Sequence, residues 1–334
     1  AHHEHLDTGV AVDDITDEHD GGGGADVHRG GVEGLWHGSD RNGRQESRSH
    51  RRETWGTRPT VGFVSSATHP DESAPGSVVE HLDADTEIIV PLANGEPTAV
   101  MDAIEDAVEA DPNGHHFHAL RVHQMHAIHD RRYLRGEFGT RMKNISYFLS
   151  HVTRPYFRNG TVGLVPAHFS EVYGLMRART TDPLVIAAAS PPDQHGYFSL
   201  GVSADYTSSF IGRARFFLEV TDAMPRTFGR NQVHASQVVG WCRSDRPLVK
   251  VPPVEPSETD CRIAEHVADR IPDGATIQTG IGAIPNAIMS NLVSHKDLGV
   301  HTELLSDGVV ELMESGVVNG VKKRLNRTKT CLLY

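Results

Sequence analysis

Residues 300–308 read V-H-T-E-L-L-S-D-G and place Glu303 where a short apolar strand ends and a turn begins. Upstream, a second apolar strand at residues 275–278 runs into T-G-I-G-A-I-P at residues 279–285, a glycine turn that leads into a helix. Strands that alternate with helices in this way favour an α/β fold with a largely parallel sheet. A carboxylate at such a strand end is also a candidate nucleophile.

The same alternation of strands and helices extends back to about residue 60. After the N-G-E-P turn at residues 94–97, Val100, Ile104 and Val108 share one face of a predicted helix. A further amphipathic helix carries Phe169, Val172 and Met176, and the predicted strands cover residues 87–92, 117–122, 161–165, 184–188 and 216–220.

A proline-rich stretch at residues 251–256, V-P-P-V-E-P, predicts an extended linker between two domains. The first domain then spans residues 59–250 and the second spans residues 257–334. Ser257 and Asp260 predict the N-terminal cap of the first helix in the second domain.

Residues 1–58 form a third region, rich in Gly, His, Asp and Arg and without helical or strand periodicity. Such a composition cannot bury enough apolar surface to offset chain entropy, so we predict a disordered extension. Its arginine-rich part, residues 41–58, is better interpreted as a solvated tail than as a nucleic-acid contact.

Composition narrows the classes of function. With 334 residues and 38% apolar content the chain can bury the cores of two domains, and a net charge of -12 argues against general affinity for nucleic acid. Three widely spaced cysteines give neither a disulfide framework nor a CxxC metal site, which fits a reducing cytoplasm. The longest apolar stretch, residues 184–189, is too short to span a membrane.

Together, residues 279–285 and 300–308 resemble the acetyl-CoA hydrolase and 4-hydroxybutyrate CoA-transferase branch of the family I CoA-transferases. The same branch is echoed by S-P-P-D-Q-H-G-Y-F-S-L-G-V-S at residues 190–203, V-H-Q-M-H at residues 122–126 and M-P-R-T at residues 224–227. The resemblance implies two tandem CoA-transferase-like domains, the second of them incomplete because the chain is truncated at its C-terminus. It also implies a homo-oligomer, a dimer, for the full-length form.

The resemblance assigns the nucleophile role to the glutamate of the H-T-E segment, which is Glu303. Attack on a thioester would form an acyl-glutamyl anhydride and then a glutamyl-CoA thioester, with coenzyme A as substrate and no tightly bound cofactor. Each step passes through an oxyanion, and the backbone of Gly280, Ile281, Gly282 and Ala283 could stabilise it. The alternative is that this glycine turn is ordinary packing between strand and helix.

The loop of Asp193, Gln194, His195 and Gly196 follows an apolar strand, which is the usual place for a ligand loop in an open α/β sheet. The resemblance makes it an active-site loop near the acyl or pantetheine group. A polar turn without a ligand role is the alternative.

The histidines at residues 115–129 lack the spacing and the cysteine or carboxylate companions of a metal site, so no metal is predicted. A substrate-pocket role for one histidine of the H-Q-M-H stretch, residues 123–126, stays open. The G-I-G turn has Pro285 where a dinucleotide-binding motif has its third glycine, which argues against a dehydrogenase.

The leading hypothesis is an acyl-CoA:carboxylate CoA-transferase or acetyl-CoA hydrolase acting on short-chain acyl-CoA. Acetate, propionate, succinate and 4-hydroxybutyrate all remain open as partners. A sugar-phosphate isomerase, which related α/β folds also support, would need basic residues beside the glycine turn. A third interpretation is a catalytically impaired fragment, or a CoA-binding subunit that needs a partner chain.

Overall fold

The computed structural model describes residues 10–13, 70–250, 252 and 254–333. The predicted extension at residues 1–58 lies almost entirely outside them. In chain order the strands are β1 Val10–Asp13, β2 Glu72–Ser73, β3 Glu87–Ile89, β4 Leu120–Gln124, β5 Met142–Ser146, β6 Val162–Leu164, β7 Leu184–Ala189, β8 Tyr197–Ser199, β9 Arg215–Val220, β10 Phe228–Gly229, β11 Gln232–His234, β12 Val238–Arg243, β13 Thr276–Ile277, β14 Gly299–Thr302 and β15 Thr330–Leu333.

The helices are α1 Thr98–Ala110, α2 Arg132–Arg135, α3 Thr153–Arg158, α4 Phe169–Arg179, α5 Glu258–Ala268, α6 Ala283–Asn291 and α7 Asp307–Glu314. Short 3-10 turns lie at Pro75–His81, Ala93–Gly95, Tyr206–Phe210 and Ala235–Gln237. None of the described helices is long and apolar enough to cross a membrane.

An eight-stranded parallel sheet organises residues 72–243, in the order β2-β12-β9-β7-β3-β4-β5-β6. Its central strand β7 is buried along its whole length, as expected for a parallel strand covered on both faces. One face packs against α1 through Val100, Ile104 and Val108, and the other packs against α4 through Val172 and Met176. The α/β prediction with a largely parallel sheet is therefore confirmed.

A smaller sheet has the order β10-β1-β15-β14-β13, and its strands β13, β14 and β15 come from residues 276–333. Strands β13, β14 and β15 are parallel, and their core includes Val300, Met289, Leu292, Val309 and Leu312. The cap predicted for α5 is confirmed, because Ser257 and Asp260 each accept a hydrogen bond from the other's backbone N–H.

Periodicity located most elements of the large sheet but missed others. The strand predicted over residues 117–122 is β4, displaced to Leu120–Gln124 because Asp111 holds the backbone N–H groups of His115, His116 and Phe117 in a turn. The antiparallel pair β8–β11 and the strands β5 and β12 were not predicted.

The division into residues 59–250, 251–256 and 257–334 stays a prediction. Val249 lies just before the proposed linker. The Asn94 side chain donates a hydrogen bond to the Val249 carbonyl at 2.9 Å and accepts one from the Val249 N–H at 2.8 Å. This contact ties the chain to the carboxyl edge of the large sheet immediately before the prolines.

Candidate functional site

The Glu303 region is built on the parallel pair β13–β14. Thr276 lies opposite Gly299 and Ile277 lies opposite Val300. Continued by three residues, beyond the carboxyl ends of both strands, this register would bring Gly280 opposite Glu303. A Cβ built on Gly280 would have only Pro285 within 4 Å among the described residues, so the space beside this glycine is open.

A buried threonine holds these two segments together. The Thr302 side chain is fully buried, and its Oγ1 donates to the Thr279 carbonyl at 2.8 Å while accepting from the Thr279 N–H at 3.2 Å. Both backbone groups of Thr279 are therefore satisfied by one hydroxyl. The chain leaves Thr279 into the glycine turn and leaves Thr302 into Glu303, so this clamp sets their relative position.

Glu303 itself is exposed, immediately after β14. Its carboxylate makes no hydrogen bond or ion pair with the residues that the structure describes. A carboxylate in that state is accessible to a ligand and retains its lone pairs for attack.

The glycine turn leads into helix α6, as predicted, and the helix begins at Ala283, within the T-G-I-G-A-I-P motif, so that Pro285 lies in its first turn. Proline is compatible with this position because the N–H groups of the first helical turn have no acceptor within the helix. Gly282 is the N-cap with φ +116°, no side chain caps the helix, and the Asn286 N–H closes the first turn on the Gly282 carbonyl at 3.1 Å. The N–H groups of Ala283 and Ile284 are therefore available to an anion.

Two residues of this site were missed by sequence reasoning. Thr302 was quoted within H-T-E but given no role, and His301 was treated in the same way. His301 is on β14, and because side chains alternate along a strand, its side chain points to the same side as that of Glu303, two residues later. The Nε2 atom of His301 is buried and has no hydrogen-bond partner within the described part of the chain. The alternation of His301 and Glu303 was a signal that could have indicated a shared face.

A cavity of about 150 Å³ adjoins the turn. It lies between α5, α6 and β13, and its lining is mostly apolar: Val267, Ile271, Ile277, Gln278, Thr279, Gly280, Pro285, Ile288 and Met289. The volume is below the range of about 300–1,000 Å³ usual for small-molecule sites. It could take a short apolar group but not a whole coenzyme A.

The loop containing Asp193 is a closed polar turn after β7. Asp193 Oδ1 accepts from the N–H groups of His195 at 2.9 Å and Tyr197 at 3.0 Å, and Oδ2 lies 3.7 Å from Arg226. The Tyr197 hydrogen bond, above all, holds the pKa of Asp193 below its usual value. The carboxylate is thus engaged in the turn, as the alternative interpretation expected, whereas the Gln194 and His195 side chains are exposed.

Gly196 adopts φ +80° and closes this turn, its N–H donating to the Asp193 carbonyl at 2.9 Å. Among the described residues, no hydrogen bond or ion pair connects residues 193–196 with residues 279–303. A ligand role for this loop therefore stays a prediction.

The carboxyl edge of the large sheet holds a buried charged cluster around Glu96, which the sequence did not indicate. Arg131 Nε donates to Glu96 Oε1 at 2.6 Å, Gln124 Nε2 donates to Oε2 at 3.1 Å, and His129 lies 3.3 Å from Oε2. Arg131 also bonds to Asp102, which in turn pairs with Arg246. Burial alone would raise the pKa of Glu96, but His129 and Arg131 hold it below its usual value.

Asp205 is a second buried acid near this edge. Its Oδ2 accepts from the Leu92 N–H at 2.9 Å, and its Oδ1 accepts from the Thr207 N–H and hydroxyl at 2.8 and 2.6 Å. Burial raises the pKa of Asp205 to about 6, against the opposing effect of these hydrogen bonds. This acid therefore ties the loop after β3 to the 3-10 turn that begins at Tyr206.

The two histidines of the H-Q-M-H stretch differ in environment. His123 is buried between Glu87 at 2.5 Å and the Tyr147 hydroxyl at 3.0 Å. His126 is partly exposed and stacks on Phe148, and burial lowers its pKa. Of the two, His126 keeps access to a ligand.

Comparisons with known proteins agree with the motifs. The family model of the acetyl-CoA hydrolase/transferase N-terminal domain matches residues 72–248. The succinyl-CoA:cyclohexane-1-carboxylate CoA transferase of Geobacter metallireducens is 34% identical over 247 residues, which is 73% of this chain and 54% of that protein. The 4-hydroxybutyrate coenzyme A transferase of Clostridium kluyveri is 31% identical over 258 residues, or 77% and 59%.

Among solved structures, RipA from Yersinia pestis has a TM-score of 0.71 and 32% sequence identity, covering 78% of this chain and 63% of that one. The chain thus spans about half the length of the curated relatives it matches, from 40% to 59%.

Proposed function

Because this chain belongs to the acetyl-CoA hydrolase/transferase family, we propose that it takes part in acyl-CoA:carboxylate CoA transfer or acetyl-CoA hydrolysis through Glu303. The observation that supports the proposal is the Thr302–Thr279 clamp, which joins the residue before the glycine turn to the residue before Glu303. The acceptor is a short carboxylate of the acetate, propionate, succinate or 4-hydroxybutyrate type. Relatives named for these reactions support the class of reaction.

In the proposed first step, a Glu303 oxygen attacks the thioester carbonyl and the carbon–sulfur bond breaks, giving an acyl-glutamyl anhydride and CoA thiolate. The thiolate then attacks the Glu303 carbonyl, releasing the first carboxylate and leaving a glutamyl-CoA thioester. An acceptor carboxylate reverses both steps and leaves as the new acyl-CoA. Water attacking the anhydride or the thioester instead gives hydrolysis.

Each addition places negative charge on a carbonyl oxygen. The backbone N–H groups at Gly280–Ala283 and the N-terminus of α6 would stabilise that charge. Within the helix, the N–H groups of the first turn have no acceptor and are available for this role. The apolar cavity beside Gly280 suits a short acyl chain, since its volume is about 150 Å³. His195 and Gln194 would contact the acyl or pantetheine group from the large sheet.

The rest of the proposal concerns the whole protein. Coenzyme A enters as a thioester substrate and no cofactor is held permanently. The two domains, residues 59–250 and 257–334 joined by residues 251–256, would act together in a homodimer located in the cytoplasm.

Borohydride trapping tests the nucleophile. When the chain is incubated with acetyl-CoA and then borohydride, the activated Glu303 carbonyl should be reduced to an alcohol, which mass spectrometry detects in its peptide. Glu303→Gln should abolish the product. Glu311→Gln is the matched control, because Glu311 is exposed on α7 and should leave the product unchanged.

Glu303→Asp distinguishes position from charge at the same residue. The shorter side chain withdraws the attacking oxygen by roughly 1 Å, which can cost on the order of a hundredfold in rate. The trapping rate should fall accordingly while the melting temperature stays the same. A reduced glutamate elsewhere, undiminished trapping in Glu303→Gln, or a folded chain without any reduced glutamate would overturn the proposal.

A further inference from the structure

Lys323, in the loop before β15, and Cys331, on β15, form a buried pair. Lys323 is 4% exposed and Cys331 is fully buried. The lysine Nζ lies 3.1 Å from Cys331 Sγ, 2.9 Å from the Val300 carbonyl and 2.7 Å from the Lys329 carbonyl. An ammonium group has three N–H donors, and these three acceptors use all of them.

The lysine stem is fixed in this place by the neighbouring strand. A side chain at Gly299 would bring its Cβ to 2.4 Å from Cγ of Lys323, so the stem fills the space that the glycine leaves. The amine is therefore directed at the sulfur by packing on one side and by two carbonyls on the other.

The chemistry of the two groups makes their proximity significant. No carboxylate within the described part of the chain lies at ion-pair distance from Lys323, and a buried cation without a counter-charge is costly. Of the three groups that Nζ contacts, only the Cys331 sulfur can carry a negative charge. Peroxide oxidises a cysteine sulfur to a sulfenic acid, and an amine nitrogen can attack that oxidised sulfur.

Cys242 offers a contrast within the same molecule. It is as fully buried as Cys331, but burial raises the pKa of its thiol to about 12, helped by Glu219 and Glu72. Cys261, on α5, is partly exposed and has no lysine among its described contacts. Burial alone therefore does not distinguish Cys331 from Cys242. The feature that distinguishes Cys331 is the lysine amine beside its sulfur.

We propose that Lys323 and Cys331 are a modification site at which hydrogen peroxide closes a covalent sulfur–nitrogen bridge. The thiolate attacks one peroxide oxygen, the O–O bond breaks, and the released hydroxide takes a proton to become water, leaving a sulfenic acid. The Lys323 amine, having lost its proton, attacks the sulfur and expels the hydroxyl as a second water. In total one peroxide is reduced to two waters while the thiol and the amine together lose two hydrogen atoms.

Peptide mapping after limited peroxide treatment tests the site. Once the remaining thiols are blocked, trypsin should fail to cut after Lys323, and residues 323–324 should be found joined to residues 330–334, lighter than their sum by two hydrogens. Dithiothreitol should release the two peptides. Cys242 should stay unmodified under the same limited treatment, because the pKa of its thiol is raised to about 12 and it has no amine beside it.

Two variants separate the bridge from simple oxidation. Lys323→Arg keeps a cation beside the sulfur, so a dimedone adduct should form at Cys331 without the bridge. Lys323→Met removes the cation, and both products should be lost while circular dichroism still reports a folded chain.

Oxidation of Cys331 to sulfinic acid without a link to Lys323 would overturn the proposal. So would an unmodified Cys331 in a sample whose Cys261 is fully oxidised, or an equal yield of the bridge in urea, where proximity is lost. None of these readouts depends on Glu303, so the proposed function can fail without affecting this inference.

Discussion

At the carboxyl ends of β3 and β4 the carboxylate of Glu96 is buried and both of its oxygens have partners, whereas at the end of β14 the carboxylate of Glu303 is exposed and has none among the described residues. Both acids lie beyond the carboxyl ends of parallel strands, Glu303 directly after β14 and Glu96 after the 3-10 turn that follows β3. Glu96 uses its charge to compensate a buried arginine, whereas in the proposed mechanism Glu303 would use its charge to attack an incoming group. Position at a strand end does not by itself identify a catalytic acid; the absence of internal partners is the better indicator.

The largest expected effect is on stability, at Glu96. Glu96→Gln removes the carboxylate that faces the buried Arg131, and breaking a buried pair in this way costs about 3–5 kcal/mol. Asp102 and Glu105 remain near the guanidinium, so we expect the lower part of that range. Urea unfolding measures it. Glu109→Gln, at an exposed partner of Arg132, should cost less than about 1 kcal/mol, and equal losses would contradict the contrast.

Asp205 should make stability depend on pH in the sense opposite to an ion-paired acid. Its pKa is about 6 in the folded chain and near 3.8 when unfolded, so the folded state binds more protons between these values and stability falls as pH rises through them. The fall amounts to at most about 3 kcal/mol. Asp205→Asn should lack it in urea titrations from pH 4 to 6.5.

Asp193 should make stability depend on pH in the opposite direction, because its pKa is lowered in the folded chain. Its contribution is present above the ordinary aspartate pKa and is lost as pH falls through the folded value. Asp193→Asn should therefore begin to diverge from the parent chain as pH rises through the folded value, and the difference should be complete above the ordinary value. Parallel pH profiles for the two variants would contradict the assignment of Asp205 as a buried acid.

The next smaller effect on stability is expected when the Thr302 clamp is broken. Thr302→Val keeps the shape but leaves the buried N–H and carbonyl of Thr279 unsatisfied, at a cost of about 2 kcal/mol. Borohydride trapping at Glu303 should fall as well, and Thr302→Ser should restore most of both. Thr330→Val serves as the control, because among the described residues the Thr330 hydroxyl hydrogen-bonds to the sulfur of Met313 and to no backbone group. A Val variant with full trapping would show that the clamp does not position the site.

The smallest stability effect is expected at the glycine turn, where two residues should separate structure from chemistry. Gly282→Ala forces a side chain into φ +116°, and although its Cβ would meet no atom, the backbone strain should cost about 1 kcal/mol or more. Gly280→Ala would meet only Pro285, at an ordinary 3.8 Å, so the melting temperature should hold while trapping at Glu303 declines. Equal stability losses at the two positions would contradict the difference in backbone strain, and full trapping in Gly280→Ala would contradict the register that would bring Gly280 opposite Glu303.

Sequence alone determined the α/β class, the parallel sheet, the α1 and α4 faces, the Ser257 cap and the family. These features depend on local periodicity, capping residues and short motifs, which neighbouring residues encode directly. Candidate residues such as Glu303 and Gly280 also came from the sequence, because strand ends and glycine turns leave a local signal.

Only the tertiary structure decided which of the polar groups form hydrogen bonds or ion pairs within the chain. Glu96 and Arg131 lie 35 residues apart, and Thr302 lies 23 residues from the backbone it clamps. The Asp193 carboxylate is engaged in its own turn, and Lys323 meets Cys331 through a loop. Such partnerships depend on strand register and on the direction of each side chain, which are fixed when the segments pack together and leave no periodic pattern in the chain.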